Sequence, residues 1–191
     1  MANGRVLTGF SQPYVASYAA TGTTVTYTSG QILARGVSVG LEVTVADDNT
    51  FYADNIAAES VPGLFQSGTC TLTVDGLLDP AAKLILGLPS AGADGFTAYG
   101  DDMNPPYVGV GFICRYMSDG VTSYVPVVLP KCRFNTPSLD AATQGENIEW
   151  QTQELSAQVL RDDTAKHNWK LVGSAYTTEA LAASAIVTVL A

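Results

Sequence analysis

Charge is scarce in this 191-residue chain, and positive charge is scarcer still. Charged residues make up 14% of it, with 9 Lys and Arg against 18 Asp and Glu. A typical soluble domain carries about 25% charged residues. No stretch gathers Lys and Arg, so the cationic footprint that displaces counterions from phosphates is missing, and gripping of DNA or RNA is excluded as an expectation. A net charge of −9 keeps an anionic membrane surface at a distance. Long apolar runs are missing too: none reaches the roughly 18 residues of a bilayer span. The opening residues, Met1-Ala2-Asn3-Gly4-Arg5, lack the apolar stretch of a signal peptide, so the chain is expected to be made and kept in a cytoplasm.

Cysteine is sparse and odd in number: Cys70, Cys114 and Cys132, without metal-type spacing. In a regular hairpin turning near Ser118-Asp119-Gly120, Cys114 lies opposite about position 125. Cys132 is then roughly 23 Å further along, beyond the ~7 Å Cα separation that a disulfide tolerates. All three are expected to be buried thiols. At this length a core buries roughly 70% of the unfolded chain's surface and needs no covalent staple.

What is present is β-forming sequence: 47% of residues are hydrophobic, many in alternating runs. Residues 13–20 and 24–28 (TVTYT) predict a hairpin about Gly22. Residues 31–46 alternate, with Val37, Val39, Leu41, Val43 and Val45 on one face; residues 51–58 and 68–74 (GTCTLTV) predict further strands. A helix is predicted over 79–87, with Asp79 as N-cap, Pro80 opening it and Gly87 closing it, and Ala81, Leu84, Ile85 and Leu88 as its apolar stripe. Residues 90–106 form a long Gly/Asp/Pro-containing connection. The longest hairpin follows, residues 107–117 and 121–129; Pro126 within it implies an edge, a bulge or two short strands. Residues 148–161 (IEWQTQELSAQVLR) alternate with polar groups on both faces, and 166–172 (KHNWKLV) predict a last strand. Residues 177–191 start as a capped helix at Thr178 and Glu179; the end, 186–189, equally suits a strand, and a helix is favoured. About nine strands without βα alternation imply a mainly β chain: one domain over 1–191, a β-sandwich or flattened barrel with a flanking helix at 79–87 and a C-terminal helix.

Candidate chemistry is thin. Gly36-Val37-Ser38-Val39-Gly40 matches the nucleophile elbow G-x-S-x-G, and Asp162, Asp163 and His167 follow in triad order. That motif needs a strand-to-helix turn, whereas here it lies among alternating β residues. His167 is the sole histidine and builds no metal site with scattered cysteines. Gly109-Val110-Gly111 is too short for a dinucleotide fingerprint. The acid pairs Asp47-Asp48, Asp101-Asp102 and Asp162-Asp163 lack a calcium-loop pattern and read as solvated turn residues. No enzymatic activity, cofactor or metal is expected.

Eight segments in order carry a family resemblance: TGFSQPYVASY (8–18), LARGVSVGLE (33–42), DDNTFYADNIAAES (47–60), TLTVDGLL (71–78), YGDDMNPPYVGVGFICRY (99–116), YVPVVLPKCRFNTP (124–137), IEWQTQEL (148–155) and RDDTAKHNWK (161–170). Together they resemble a major tail protein of long-tailed, non-contractile bacteriophages. The resemblance implies a β-sandwich or flattened barrel that forms rings, typically hexameric. Such rings stack into a tail tube through which the genome passes. It also implies a virion location, no specific DNA binding, and contacts with tape-measure, tail-tip and terminator proteins. A receptor- or carbohydrate-binding module of the virion is the alternative, although both Trp fall in predicted strands rather than loops.

Within that reading, Asp47, Asp48, Asn49, Phe51 and Tyr52 are expected to make ring-to-ring contacts, the two aromatics serving either as anchors or as core. Glu149, Gln151, Gln153 and Glu154 are expected on a lumen-facing strand, or else on an outer solvated face. Residues 47–55 and 90–106 are expected to order on assembly.

Overall fold

The computed structural model describes residues 4–90, 94–101, 103–139, 141–143 and 150–191. The chain is mainly β. Its strands are β1 (Val6–Thr21), β2 (Thr24–Ile32), β3 (Gly36–Val45), β4 (Asn49–Ala53), β5 (Ile56–Val61), β6 (Phe65–Val74), β7 (Val108–Ser118), β8 (Val121–Phe134), β9 (Gln153–Leu160) and β10 (Leu171–Val172). Two helices, α1 (Asp79–Leu86) and α2 (Glu179–Val189), complete the described elements. All of them except β4, β5 and the helices belong to one antiparallel sheet in the order β2-β1-β7-β8-β9-β6-β3, with β10 beside β8. No helix among the described residues is long and apolar enough to cross a membrane.

The sheet curls into an open, flattened barrel, bringing β3 back over β1. Phe10, Val39, Leu41, Leu72, Phe112, Leu129, Phe134 and Leu155 meet in one core, and α1 adds Ala81, Ile85 and Leu86 to it. Alternation explains the inward set. In β6, Cys70, Leu72 and Val74 are buried while Thr69, Thr71 and Thr73 point away. A second cluster lies on the opposite side of β1, β7 and β8, where Ala182, Ile186 and Leu190 of the C-terminal segment cover Ala16, Ile113 and Val128. The Gly109-Val110-Gly111 run has its explanation here. A side chain at Gly109 would collide with Leu190 and Tyr27, and one at Gly111 with Ile186, so these glycines let α2 lie close on β7.

Several boundaries differ from the sequence expectation. Residues 31–46 are not one strand: Leu33 and Ala34 turn inward to the core, and the chain restarts as β3 at Gly36. Residues 51–58 are likewise a hairpin, because Asp54 and Asn55 both take positive φ (52° and 63°) and join β4 to β5 in a two-residue turn. The N-cap of α1 is Leu78 rather than Asp79, which instead places its charge in the first turn; Gly87 closes the helix at φ 64° as expected. The C-terminal segment is a helix through Val189, with the Thr178 hydroxyl accepting from the Leu181 N–H.

Pro126 lies in mid-strand of the continuous, interior β8, neither at an edge nor at a break. Its carbonyl accepts from Gly173 N (2.8 Å) on the β10 side, where the chain then leaves the ladder and rejoins it at Tyr176 opposite Tyr124. The missing proline N–H therefore falls where the neighbouring chain offers no regular partner. Cys114 pairs with Val125, and all three cysteines are buried, free thiols. The strand expected at 148–161 is β9, beginning at Gln153; residues 144–149 lie outside the described residues. Of the strand expected at 166–172 only Leu171–Val172 forms.

Candidate assembly surfaces

The two ends of the main sheet are unpaired. β2 pairs only with β1, and β3 only with β6, among the described residues. Natural sheets blunt such edges with Lys, Pro, short length or β-bulges, and each edge strand has register breaks against its partner, β2 between Thr28 and Gln31 and β3 between Gly36 and Ser38 and between Thr44 and Val45. Here β2 (TVTYTSGQI) has nine residues and no charge, and β3 (GVSVGLEVTV) has ten residues and one charge, Glu42. Beyond the core, Val37, Val43 and Val45 of β3 stay exposed.

Among the described residues, the outer face of β3, β6 and β9 carries no helix, and it is polar. Cross-strand rows run Ser38–Thr73–Glu154 and Glu42–Thr69–Gln158, the latter continuing to Arg133 of β8. Gly40–Thr71–Ser156 lies between them, and Asn135 N bonds to the Ser156 carbonyl. The Ser38 hydroxyl donates to Thr73 Oγ1 (2.9 Å) within this face. Ser38 thus stands in mid-strand with no helix after it, and the His167 ring contacts the Asp162 carbonyl instead (3.3 Å). The geometry of a nucleophile elbow is not formed.

Of the four residues expected on one lumen-facing strand, the structure describes three and sets Gln153 and Glu154 on opposite faces of β9. Glu154 is exposed on the polar face. Gln153 shares the parity of buried Leu155, and its Oε1 accepts from Leu77 N (3.2 Å), tying β9 to the approach to α1. Gln151 is exposed in the irregular segment before β9, and Glu149 lies outside the described residues.

The residues expected at ring contacts gather on the β4–β5 hairpin. Asp47 is exposed at its root, and the Asp48 carboxylate accepts from Gly63 N (2.9 Å), closing that root. Asn49 opens β4 opposite Val61. Phe51 and Tyr52 are each 65% exposed, so core packing does not explain them. Ile56 and Val61 of β5 and the neighbouring Leu64 are exposed as well. The hairpin forms a sheet of its own, apart from the barrel.

No protein-family model matches this chain, and no curated protein matches it in sequence. The surfaces must therefore be read from their own chemistry.

The sequence reading missed one further constellation, because its residues come from distant segments. Lys131 Nζ lies 2.7 Å from Asp163 Oδ2. The Tyr18 hydroxyl donates to the same oxygen (2.6 Å) and accepts from Asp163 N (3.0 Å). These bonds, Lys131's first and Tyr18's next, hold the Asp163 carboxyl below its ordinary pKa, while burial and the bond to Asp163 push Tyr18 up to about 12. Its neighbour Asp162 is not a solvated acid as expected. It is 5% exposed, and its Oδ1 accepts from Thr164 Oγ1 (2.7 Å) and Asn168 N (2.8 Å).

That buried carboxylate organises the turn over 162–168, which carries Trp169 into a loop. Trp169 stacks on Phe65 with ring centroids 4.7 Å apart, and Trp150 is 86% exposed in an irregular segment. Both Trp therefore lie outside strands, contrary to expectation. No group of three or more His, Cys, Asp or Glu among the described residues is placed to hold a metal ion.

Proposed function

We propose that the chain is a non-enzymatic structural subunit that closes into rings, and that stacked rings form the tail tube of a long-tailed bacteriophage. The observation that carries this is the pair of free sheet edges, β2 and β3, both long and neither protected by Lys or Pro. An edge of one copy paired with the opposite edge of the next satisfies both, and a rotation that closes leaves no edge open.

Exposed apolar side chains support the reading: Phe51, Tyr52, Ile56 and Val61 on the hairpin and Val37, Val43 and Val45 on β3 are of the kind that marks interaction sites.

In the tube, the polar face bearing Glu42, Glu154 and Gln158 lines the lumen, and the β4–β5 hairpin bridges copies. Six copies at −9 each carry −54 formal charges, which repel phosphates and let a genome pass without adhering. Other tail proteins, such as tape-measure, tail-tip and terminator proteins, meet the tube at its ends or within it. Electron microscopy of concentrated pure protein tests this directly: stacked rings or tubes are the expected result, and dispersed monomers at every concentration would refute it.

A second reading, a receptor- or carbohydrate-binding module of the virion, is favoured by exposed Trp150 and by the loop position of Trp169. Dispersed monomers that retain a glycan ligand would select it.

A further inference from the structure

Although the chain is acidic, three of its nine Lys and Arg residues stand around one open pocket of about 420 Å³. Its aromatic wall is the Phe65–Trp169 stack, with planes 6° from parallel. The Arg161 guanidinium lies 5.9 Å from the Phe65 ring centroid and donates to the Phe65 carbonyl, and Lys170 Nζ lies 6.0 Å from that of Trp169. Lys166 and His167 complete the rim, exposed. The two ion pairs among the described residues, Arg35–Asp75 and Lys131–Asp163, use none of these cations. A site so built suits a partner that brings carboxylates together with an aromatic or aliphatic side chain.

The chain itself presents such a partner. Residues 47–61 contain four acids, Asp47, Asp48, Asp54 and Glu59, and no Lys or Arg. Phe51, Tyr52 and Ile56 stand exposed among them. We propose that the pocket receives the β4–β5 hairpin of a second copy. The proposal rests on the ring-and-tube reading and adds to it the surface on which the hairpin docks.

The chain's own hairpin is the wrong occupant. It roots at the pocket: Ala46 N bonds to the Leu64 carbonyl (2.9 Å), and Leu64 and Phe65 line the site. Five residues of β4 then carry the tip about 17 Å away, and a two-residue turn reverses the chain there without bending the hairpin back on its root. Only the tip of another copy reaches a given pocket. Such a contact is head-to-tail, so every copy both gives a hairpin and receives one, and the series propagates around a ring or along a stack.

Two experiments on the full chain test this. In the first, Ala57→Cys protein is mixed with Lys166→Cys protein and treated with a short bis-maleimide. The native thiols are buried and stay silent. A heterodimer whose cross-linked peptides join 57 to 166 is expected; assembled protein that gives no 57-to-166 cross-link overturns the docking.

In the second, Lys166→Glu with Lys170→Glu is expected to weaken association roughly tenfold or more. Asp54→Asn with Glu59→Lys, in which Asn keeps the positive φ of the turn, is expected to do the same. Combining the two sets restores assembly. Unchanged assembly in the pocket variant, or no rescue in the combination, overturns the proposal. So does duplex DNA binding that the pocket variant abolishes while assembly persists. If the wild-type chain forms no oligomers and the cysteine variants no cross-link, the tube reading falls as well; if rings form without the 57-to-166 cross-link, only the docking falls.

Discussion

At the scale of single residues, Asp163 ties two strands together, joining β1 through Tyr18 and β8 through Lys131. Its folded pKa lies below the ordinary carboxylate value, so the folded state binds its proton less readily than the unfolded chain does. The stabilisation is therefore complete above about pH 4 and is lost as pH falls through the folded value. The carboxyl side chain is 41% exposed, and solvent screening reduces the effect to about 1 kcal/mol. Asp163→Asn is expected to lower Tm by about 2–4 °C at neutral pH, with the difference closing in acid; a difference independent of pH would contradict the assignment. The thiols give a second residue-scale prediction. Burial raises Cys114 and Cys132 and pushes Cys70 to about 12, so thiolate is nearly absent at pH 8. Titration with a thiol reagent is expected to find none of the three reactive in the native protein and all three after denaturation. Reaction of any one under native conditions would show that the barrel opens.

At the scale of elements, the contact of α2 with β7 depends on two glycines as well as on Ile186 and Leu190. Gly111→Val places a branched side chain where Ile186 now packs, and overpacking of this kind costs about 1–3 kcal/mol. The expected result is a lower denaturation midpoint, recovered in part by Ile186→Ala, which makes room at the same spot. Additive losses in the double variant would argue against the contact. These glycines also show what the sequence could express. Alternation exposed the strand faces, as in β6, and Thr178 with Glu179 announced α2, because both signals are local. The tertiary reason for Gly109 and Gly111 was illegible, since it belongs to Ile186 and Leu190, more than seventy positions away in the chain. Pro126 misled for a similar cause: its missing donor is harmless only because residues 173–176 leave the ladder opposite it. The turn at Asp54-Asn55 was legible in kind, as two residues that tolerate positive φ, but was passed over within an apolar run. The candidate site was the least legible, for the pocket combines Phe65 with residues 161–170, and the polar face combines three strands.

At the scale of the whole molecule, the barrel's open ends can be tested separately from its stability. Thr26 lies exposed on β2 and Thr44 exposed on β3, each on an edge strand paired on one side only. Lysine at such positions is a device by which natural sheets prevent edge-to-edge pairing. Exposed substitutions of this kind usually change monomer stability by no more than about 0.5 kcal/mol. Thr26→Lys with Thr44→Lys is therefore expected to leave the thermal midpoint of dilute protein nearly unchanged while suppressing rings and tubes in electron micrographs. Salt separates this seam from the charged pocket: main-chain pairing between edges responds weakly to ionic strength, whereas contacts between exposed charges are screened beyond about 8–10 Å in physiological salt. Raising salt on wild-type protein is thus expected to loosen hairpin-mediated contacts before it opens edge-paired ones. Ring-sized particles that outlast longer stacks would show the edges holding the ring and the hairpin linking rings. Undiminished tubes from the double lysine variant would argue the edges out of the assembly, because lysines on both strands of a seam disfavour their pairing.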